Sequence, residues 1–588
     1  AAHERLSKRL ALAVFSSDAL SSVAYATEEI LLVLTLAGTA MVGYSIPLSL
    51  SIIGLLVILT MSYRQIIFEY PEGGGAYIVG KSNLGEWPGL VAAAALMIDY
   101  VLTVAVSVAA GIAALTSAFP DLLAHREALC IAAILLVTVV NLRGVRESGQ
   151  FFAVPTYIFI GTLAAMLGVG AVQILLGHAT RIEPLPSLTP TEPLTLFLLL
   201  RAFSSGCTAL TGVEVISNGV SAFKKPEPKN AAFTMIGMAV ILGALFIGIS
   251  AMAYYFGIVP KSDETVVSQI ARATFGTGLL YFLVQASTMT ILILAANSSF
   301  NGFPRLASIL ARDSYMPHQM SMMGDRLVFS NGVIILGVFS CLLIILFNGD
   351  THALIPLYAV GVFLSFTISQ AGMVKRWLVK KGPHWEKKLL VNGIGAVTTA
   401  IATVIIASTK FAHGAWIVIV LIPMLIMFFR AIRSHYKAVS EQVALSRGHR
   451  PPMPRRNIVV LPIGGVNRAV IRAVDYARSR SGDIRAVLVD VDPEETARVE
   501  IQWAQWGCGV PLTVLPSPYR SVLSSLLDYL EQVLQKDQEC WVTVVIPEIL
   551  PARWWQNILH NQRAFMLKGA LLFKDRVILT DVPYHLTR

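Results

Sequence analysis

The chain has 588 residues, of which 55% are hydrophobic and only 14% are charged. A soluble protein carries about 25% charged residues, so this composition excludes an ordinary soluble protein. Apolar runs recur along the chain, for example at 231–257, 331–348 and 412–429. Each run is long enough to cross a hydrocarbon core of about 30 Å as a helix of about 20 residues. The sequence therefore predicts an all-α polytopic membrane protein.

The charge balance and the cysteines exclude several other classes. The net charge is +10, which in a membrane chain reports topology rather than a nucleic-acid partner. The five cysteines show neither metal-binding nor redox spacing, and no Ser/His/Asp or Cys/His arrangement is readable. We therefore expect no enzyme, no cofactor and no transition-metal site.

Twelve spans are predicted, and their flanking charges predict the orientation. The N-terminus and the even-numbered junctions carry "RLSKR", "NLRGVR", "KKPEPK", "PRLASILAR" and "KRWLVKKGPHWEKK", whereas the opposite loops carry few basic residues. Basic loops remain in the cytoplasm, so both termini are expected to be cytoplasmic. The spans are placed near 10–37, 46–66, 88–118, 127–144, 151–176, 194–220, 231–257, 278–300, 331–348, 352–376, 390–409 and 412–432.

The pattern changes after the last span. Residues 1–433 form the predicted transmembrane domain, 434–456 a basic cytosolic linker, and 457–588 a cytosolic α/β domain. Five β-rich runs alternate there with helical stretches, which predicts a parallel sheet covered on both faces. The strands are expected at 457–463, 484–491, 511–516, 540–549 and 576–582, and the helices at 466–481, 494–507, 519–536 and 553–567.

The first span contains an unusually polar stretch, "FSSDALSSVAYATEEI" at 15–30. A carboxylate in the bilayer centre costs at least about 2.5 kcal/mol and faces the protein interior or a water-filled cavity. The apolar "LALAVF" precedes Asp18, which argues against the alternative that Asp18 lies at the membrane surface. The serines around Asp18 compete for backbone hydrogen bonds and favour an interrupted helix.

The sixth span shows the same features. "FSSGCTALTGVEVISN" at 203–218 places Gly206, Thr211, Gly212 and Glu214 within an apolar run. Two interrupted spans five helices apart predict an inverted five-plus-five repeat, with helices 1 and 6 broken and helices 11 and 12 added.

The third span adds polar groups to the predicted site. Asp99, Thr103 and Ser107 are four residues apart and share one helix face. Thr103 and Ser107 could instead bond to their own helix, and Tyr358 of the tenth span could belong to an interfacial belt. Acidic groups and hydroxyls form an oxygen-only, electronegative cage, which favours an inorganic cation. A buried carboxylate can also carry a proton, and Glu214 is the first candidate, with Asp99 and Asp18 as rivals.

Four motifs are similar to those of the KimA-type potassium importers, which are KUP-type proton-coupled symporters of the APC superfamily. They are "SSDALSSVAYATEEIL", "YPEGGGAYIV", "IDYVLTVAVSVAAG" and "TGVEVISNGV". The resemblance implies the LeuT/APC-like fold and high-affinity-type proton-coupled potassium import by alternating access at a bacterial plasma membrane. It also implies a homodimer held by the cytosolic domains and inhibition by cyclic-di-AMP. The cation site that it implies consists of Asp18, Tyr25, Asp99, Tyr100, Thr103, Ser107, Thr211, Glu214 and Tyr358.

The glycine triplet Gly73, Gly74 and Gly75 follows the second span. No strand precedes it and Lys81 lies too far away for a phosphate-binding loop, so we expect a tight cytoplasmic turn. The resemblance assigns it to a gating loop. The cytosolic domain resembles the universal-stress-protein fold, but the nucleotide-binding glycine pattern of that fold is not found, which favours a dimerising or regulatory role over ATP binding.

Two other functions remain open at this stage. An amino-acid/proton symporter would share the fold, but Asp18 in the first break would repel the carboxylate of an amino acid. A membrane-tethered nucleotide sensor with a degenerate transporter body is disfavoured, because unneeded intramembrane acids would be costly. Oxygen ligands alone do not separate potassium from sodium.

Overall fold

The fold is taken from a computed structural model of the chain. It describes residues 5–143, 149–177, 189–322, 329–444, 456–517, 521–537, 539–551 and 562–586. The chain divides into two compact units, one up to residue 443 and the other from residue 444. The first unit is helical and the second contains a sheet.

The first half of the helical unit contains two segments in which the helix is interrupted. It also contains a short helix between the second and the third membrane-spanning segment. In the first interrupted segment only Ser22 separates two helices, and in the second a 3-10 turn at Cys207–Leu210 follows the first helix. The helices are α1 (Lys8–Ser21), α2 (Val23–Leu34), α3 (Ser45–Glu69), α4 (Ala76–Asn83), α5 (Glu86–Ala118), α6 (Arg126–Leu142), α7 (Gly149–Leu175), α8 (Leu196–Gly206) and α9 (Val215–Asn218).

The second half of this unit consists of longer, continuous helices with one short helix, α11. Asp350 caps the N-terminus of α14 by accepting a hydrogen bond from the backbone N–H of His352, at 2.9 Å. The helices are α10 (Glu227–Phe256), α11 (Val266–Phe275), α12 (Leu279–Arg312), α13 (Ser330–Leu346), α14 (Thr351–Lys380), α15 (Trp385–Thr409) and α16 (Ala415–Val443).

Eleven of the described helical segments are long and apolar enough to cross a membrane. They correspond to eleven of the twelve predicted spans. The remaining one, α13, is a shorter apolar helix of 17 residues, which at 1.5 Å per residue spans roughly 25 Å. The twelfth crossing therefore stays a prediction.

Helix α5 lies at the centre of the unit and is buried on nearly all sides. Small side chains let its neighbours approach closely, since a Cβ atom on Gly361 of α14 would lie 3.1 Å from the carbonyl oxygen of Ala95. Gly111 of α5 likewise packs against Leu292 of α12. The polar face predicted on the third span is therefore held at the middle of the unit.

The predicted interruptions of spans 1 and 6 are confirmed, but they differ in extent. Residues 211–214 leave the helical pattern, with Gly212 at φ +77°. Ser22, by contrast, keeps helical angles of φ −64° and ψ −22°, so the first span bends rather than unwinds. The reason is that the Ser22 hydroxyl donates to the carbonyl of Ala19 at 2.6 Å, which keeps the chain helical while weakening its backbone ladder.

The second unit is an α/β domain with the predicted parallel sheet. Its strand order is β3-β2-β1-β4-β5, and every neighbouring pair is parallel. The strands are β1 (Arg456–Ile463), β2 (Asp483–Asp490), β3 (Leu512–Pro516), β4 (Cys540–Leu550) and β5 (Val577–His585). The helices are α17 (Arg468–Arg478), α18 (Pro493–Trp506), α19 (Val522–Lys536) and α20 (Gln562–Leu571).

The structure places some boundaries differently from the sequence. Helix α16 continues to Val443, so the first ten residues of the expected linker, 434–443, are helical, while 445–455 lie outside the described residues. The helix expected at 553–567 lies largely outside them too, and the described helix in that region is α20, which runs on to Leu571. Residues 434–443 contain neither Pro nor Gly, so nothing in the sequence ends the helix at 433, which explains the first difference.

The fold predicts that the centre of the sheet determines the stability of the α/β domain. Leu461 on β1 is fully buried, so Leu461→Ala is expected to cost about 2–5 kcal/mol of the free energy of unfolding. Hydrogen exchange of the full-length protein, read by mass spectrometry on the β1 and β4 peptides, measures this. Ile501→Ala removes a similar side chain that is exposed, and it should leave exchange in β1 unchanged. Equal exchange in both variants would contradict the prediction.

Candidate functional site

A buried chamber lies where the interrupted spans meet α5. Asp99, Thr103 and Ser107 are all buried on one face of α5. The Thr103 hydroxyl donates to the hydroxyl of Tyr358 on α14 at 2.9 Å. Thr103 therefore bonds across helices rather than to its own helix. Tyr358 is buried as well, which excludes the interfacial position that the sequence left open.

The break in the sixth span forms the second wall of this chamber. A Cβ atom on Gly212 would lie 2.8 Å from Cγ of Asp18 and 2.9 Å from the backbone nitrogen of Ala19. Only glycine fits there, because the positive φ and the close approach both exclude a side chain. Ser22 also donates to the carbonyl oxygen of Ala209 at 3.0 Å. The two interruptions therefore face each other, and Asp18 lies directly over the break.

Three carboxylates lie together in the chamber. Asp18, Asp99 and Glu214 are each at most 8% exposed, and Asp18 and Asp99 both interact electrostatically with Glu214. In the described part of the chain none of the three forms an ion pair, and Oδ1 of Asp99 and Oε2 of Glu214 have no hydrogen-bond donor. Such groups are very costly to bury unless a proton or a cation balances them.

Hydroxyl groups line the rest of the chamber. Tyr25 is buried and interacts with Thr211 and with Asp18. Thr211 is fully buried at the start of the break, and its hydroxyl donates to the carbonyl of Thr208 at 2.9 Å. Tyr100 is only half-buried, and its ring packs against Gly302 of α12. Tyr100 therefore lies at the side of the chamber, whereas the other eight predicted residues are buried.

Two residues at the chamber were missed by the sequence analysis. Ser298 on α12 lies beside the Asp18 side chain, and the buried Tyr63 hydroxyl on α3 lies within electrostatic range of Glu214. The polar run "ANSSFNGF" at 296–303 in an otherwise apolar helix was a usable signal for Ser298. A single tyrosine near the end of a span gives no such signal.

The glycine triplet contacts the sixth span directly. The backbone N–H of Gly74 donates to the carbonyl of Ser217 in α9 at 3.0 Å, and a Cβ atom on Gly73 would lie 3.0 Å from the carbonyl oxygen of Asn218. Helix α4 follows at once. There, Tyr77 and Lys81 both donate to Oδ2 of Asp313, at 2.5 Å and 2.6 Å. The triplet and α4 thus join the end of the broken helix to the end of α12.

Comparison with known proteins agrees with this arrangement. An amino acid permease family model matches residues 9–429. A model of the KimA potassium transporter C-terminal domain matches residues 455–584. The potassium transporter KimA of Bacillus subtilis (strain 168) is 46% identical over 588 residues, covering all of this chain and 96% of that protein.

The chain belongs to the KimA potassium transporter family. Its membrane unit is an APC-type permease domain, as predicted. Relationships outside the KimA family are distant. Asc-type amino acid transporter 1 of Mus musculus and of Homo sapiens are each 23% identical, over 57% of this chain and 63% and 64% of those proteins.

The contact between Gly212 and Asp18 generates a stability prediction. Gly212→Ala forces a side chain into a positive-φ position and against Asp18, so we expect it to lower the midpoint of thermal unfolding. Gly237→Ala in α10 is the matched control, since nothing lies within 4 Å of a Cβ atom there. The control should be neutral or slightly stabilising. Equal midpoints for the two variants in detergent would show that the break tolerates a side chain.

Proposed function

We propose that this protein is a potassium importer that couples uptake to protons by alternating access. One observation carries the proposal: three buried carboxylates that form no ion pair with any described residue, surrounded by hydroxyl groups, require positive charge from outside the protein. Hard monovalent cations take oxygen ligands, and every group of the proposed site supplies oxygen. The name and the 46% identity of the Bacillus subtilis relative support potassium as that cation.

The same carboxylates supply a proton carrier. Of the three acids, Glu214 lies in the fully opened break of span 6, where its carboxylate also accepts its own backbone N–H. A shift of the sixth span changes the distance from the Glu214 carboxylate to Asp18 and Asp99, so the two conformations bind a proton differently. We therefore place proton coupling first on Glu214, with Asp99 and Asp18 as alternatives.

Alternating access assigns a role to the glycine loop. The bonds from the triplet to α9 and from α4 to Asp313 close one end of the chamber. With both termini in the cytoplasm, as the basic loops favour, this is the cytoplasmic end of a protein in a bacterial plasma membrane. Release of potassium then requires these bonds to break while the outer end stays closed.

An amino-acid/proton symporter on the same fold is the second candidate. Two findings support it: the 23% identity to Asc-type amino acid transporter 1 and the match to the amino acid permease family. Against it, an amino acid would bring its own carboxylate into a chamber that already contains Asp18, Asp99 and Glu214. The Asp18 side chain lies against Gly212 in that break, so a substrate carboxylate placed there would be repelled.

The cytosolic domain is proposed to hold two copies of the chain together and to be regulated by cyclic-di-AMP. The dimer is supported by large apolar side chains at and after α20 that are exposed in the single chain, namely Phe565, Leu572 and Phe573. Cyclic-di-AMP rests on the family resemblance. The strand order supports a universal-stress-protein-like fold for this domain.

The proposed transport is tested in proteoliposomes at a fixed pH gradient. We expect uptake of rubidium, used as a tracer for potassium, and its loss when a proton uncoupler is added. Uptake of labelled amino acids without any cation flux would replace the proposal by the second candidate.

Asp18→Asn tests the cation site itself. The substitution keeps the shape of the side chain but removes a charge that a bound cation needs, so rubidium uptake should fall at least about tenfold. Asp121→Asn removes an exposed carboxylate outside the chamber and should retain full uptake. Near-normal uptake by Asp18→Asn in a folded protein would exclude Asp18 from the site.

Glu214→Gln tests the assignment of the proton. Without an ionisable group at this position, potassium binding and proton movement are expected to separate. The variant should still be stabilised by potassium against thermal unfolding, yet a pH gradient should no longer drive rubidium uptake. Uptake that still follows the pH gradient would move the proton to Asp99 or Asp18.

A further inference from the structure

The polar stretch of the first span contains two glutamates that the chamber does not use. Glu28 and Glu29 lie on α2, one helical turn beyond Tyr25, and both are buried. Adjacent intramembrane acids are costly and need partners. Both glutamates lie next to His352 at the start of α14. Nδ1 of His352 lies 2.6 Å from Oε1 of Glu29, and Nε2 of His352 lies 3.6 Å from Oε1 of Glu28.

A buried lysine completes this group. Lys410 follows α15 and is only 3% exposed, and its Nζ atom has no hydrogen-bond partner among the described residues. Lys410 interacts electrostatically with Glu29. We call Glu28, Glu29, His352 and Lys410 the outer cluster, since the proposed orientation places the end of the first span at the outer surface of the membrane.

The outer cluster ties four elements together. Glu29 and His352 join α2 to α14, and Oε2 of Glu28 accepts the backbone N–H of Val266 in α11 at 3.2 Å. Lys410 adds the turn after α15. Tyr25, one turn further in on α2, interacts with both Glu29 and Asp18. Separation of α2 from α14 at the outer cluster would therefore open the chamber from outside.

The charges of the cluster balance in only one way. Two carboxylates and one ammonium leave a single negative charge, and burial makes an unbalanced charge expensive. One additional proton, shared between His352 and the carboxylates, neutralises the group. Glu28 and His352 both line a cavity, and the His352 side chain is 38% exposed, so water can deliver this proton.

The charged groups around the outer cluster do not supply the positive charge that would neutralise it. Around the cavity, three acids face three bases, which leaves the rim neutral. Asp350 accepts the backbone N–H of His352, Glu264 pairs with Arg272 at 3.0 Å, and Arg126 donates to a backbone carbonyl. Arg201, which also interacts with Lys410, is held by Glu192 and His413. The six rim groups are Asp263, Glu264, Asp350, Arg126, Lys261 and Arg272.

We propose that the outer cluster binds one external proton, separate from the proton of the central acids, and that this proton holds the outer end of the chamber closed. Protonated, the cluster is neutral and joins α2 to α14. Deprotonated, it holds an unbalanced negative charge that is relieved when water enters between these helices. At acidic external pH the outer cluster is neutral and keeps the outer end closed. At alkaline external pH its two glutamates repel each other. This proposal rests on the proposed transport function, which supplies the orientation of the cluster in the membrane and its role.

A native thiol reports on this opening. Cys207, in the break of the sixth span, is fully buried and interacts electrostatically with Lys410. A membrane-impermeant thiol reagent, added outside to sealed proteoliposomes sorted for outward orientation, reacts with it only when the outer end opens. The rate is divided by that of the unfolded protein at the same pH, which removes the effect of thiolate formation. In the background used, alanine replaces Cys130, Cys341, Cys508 and Cys540.

The expected labelling rate rises with external pH. Between about pH 6 and about pH 10, a window that extends above the usual histidine range because two carboxylates adjoin the imidazole, we expect an increase on the order of tenfold. Glu29→Gln removes the excess negative charge, so its labelling should be slow at every pH. His352→Gln removes the imidazole that shares the proton and leaves the excess charge, so its labelling should be faster than that of the unsubstituted cluster. His352→Lys supplies a permanent positive charge and should restore slow labelling.

The substitutions are expected to change the labelling rate in opposite directions, which distinguishes an effect of charge balance from a simple loss of contacts. If the cluster were only structural, all three substitutions would loosen the outer end and speed labelling, and that result would overturn the proposal. So would a rate for the unsubstituted cluster that is independent of external pH. Should His352→Gln fail to fold, Glu29→Gln and His352→Lys alone decide between slow and fast labelling. Asp121→Asn, which removes an exposed carboxylate outside the cluster and its rim, should keep the original pH profile.

The measurement is independent of transport. Labelling needs no potassium flux, so it can be repeated in the Glu214→Gln protein. Loss of proton-driven rubidium uptake with retained pH-dependent labelling would leave the outer site in place and refute its coupling to transport. Normal uptake with labelling that ignores external pH would refute the outer site alone.

Discussion

The structure depends on the burial of negative charge that has no basic partner among the described residues. Asp18, Asp99 and Glu214 lie in one chamber and form no ion pair in the described part of the chain. An unpaired buried carboxylate costs several kcal/mol, and three of them cannot all remain ionised without outside compensation. Three features hold a cation among these acids in the proposed mechanism. They are the helix interruptions, the small side chains of α5 and the hydroxyl groups.

The two ends of the chamber use polar contacts of different kinds. At the glycine loop, backbone groups of Gly73 and Gly74 and the Tyr77–Asp313–Lys81 contacts join the sixth span to α12. At the opposite end, the outer cluster joins α2 to α14 through ionisable side chains. In the proposed transport cycle, the backbone contacts of the inner end respond to movement of the broken helix, whereas the outer end also responds to external protons.

Much of this arrangement was predictable from the sequence, because local patterns carried it. Apolar runs indicated the spans, the spacing of Asp99, Thr103 and Ser107 indicated a shared helix face, and alternating runs indicated the parallel sheet. Long-range pairings could not be predicted this way. His352 and Glu29 are 323 residues apart, and nothing local links Ser298 or Tyr63 to Asp18 or Glu214. The near-helical path at Ser22 was also not predictable, since serine either interrupts a helix or bonds back to it.

The position of the cation is the most direct test of the proposed mechanism. Anomalous scattering from crystals of the protein grown in rubidium would locate it independently of transport. We predict a peak inside the chamber, within coordination distance of oxygens from Asp18, Asp99 or Glu214 and of neighbouring hydroxyls such as Thr103 and Tyr358. A chamber without a peak at saturating rubidium, or peaks only outside it, would contradict the claim that these acids are balanced by a bound monovalent cation.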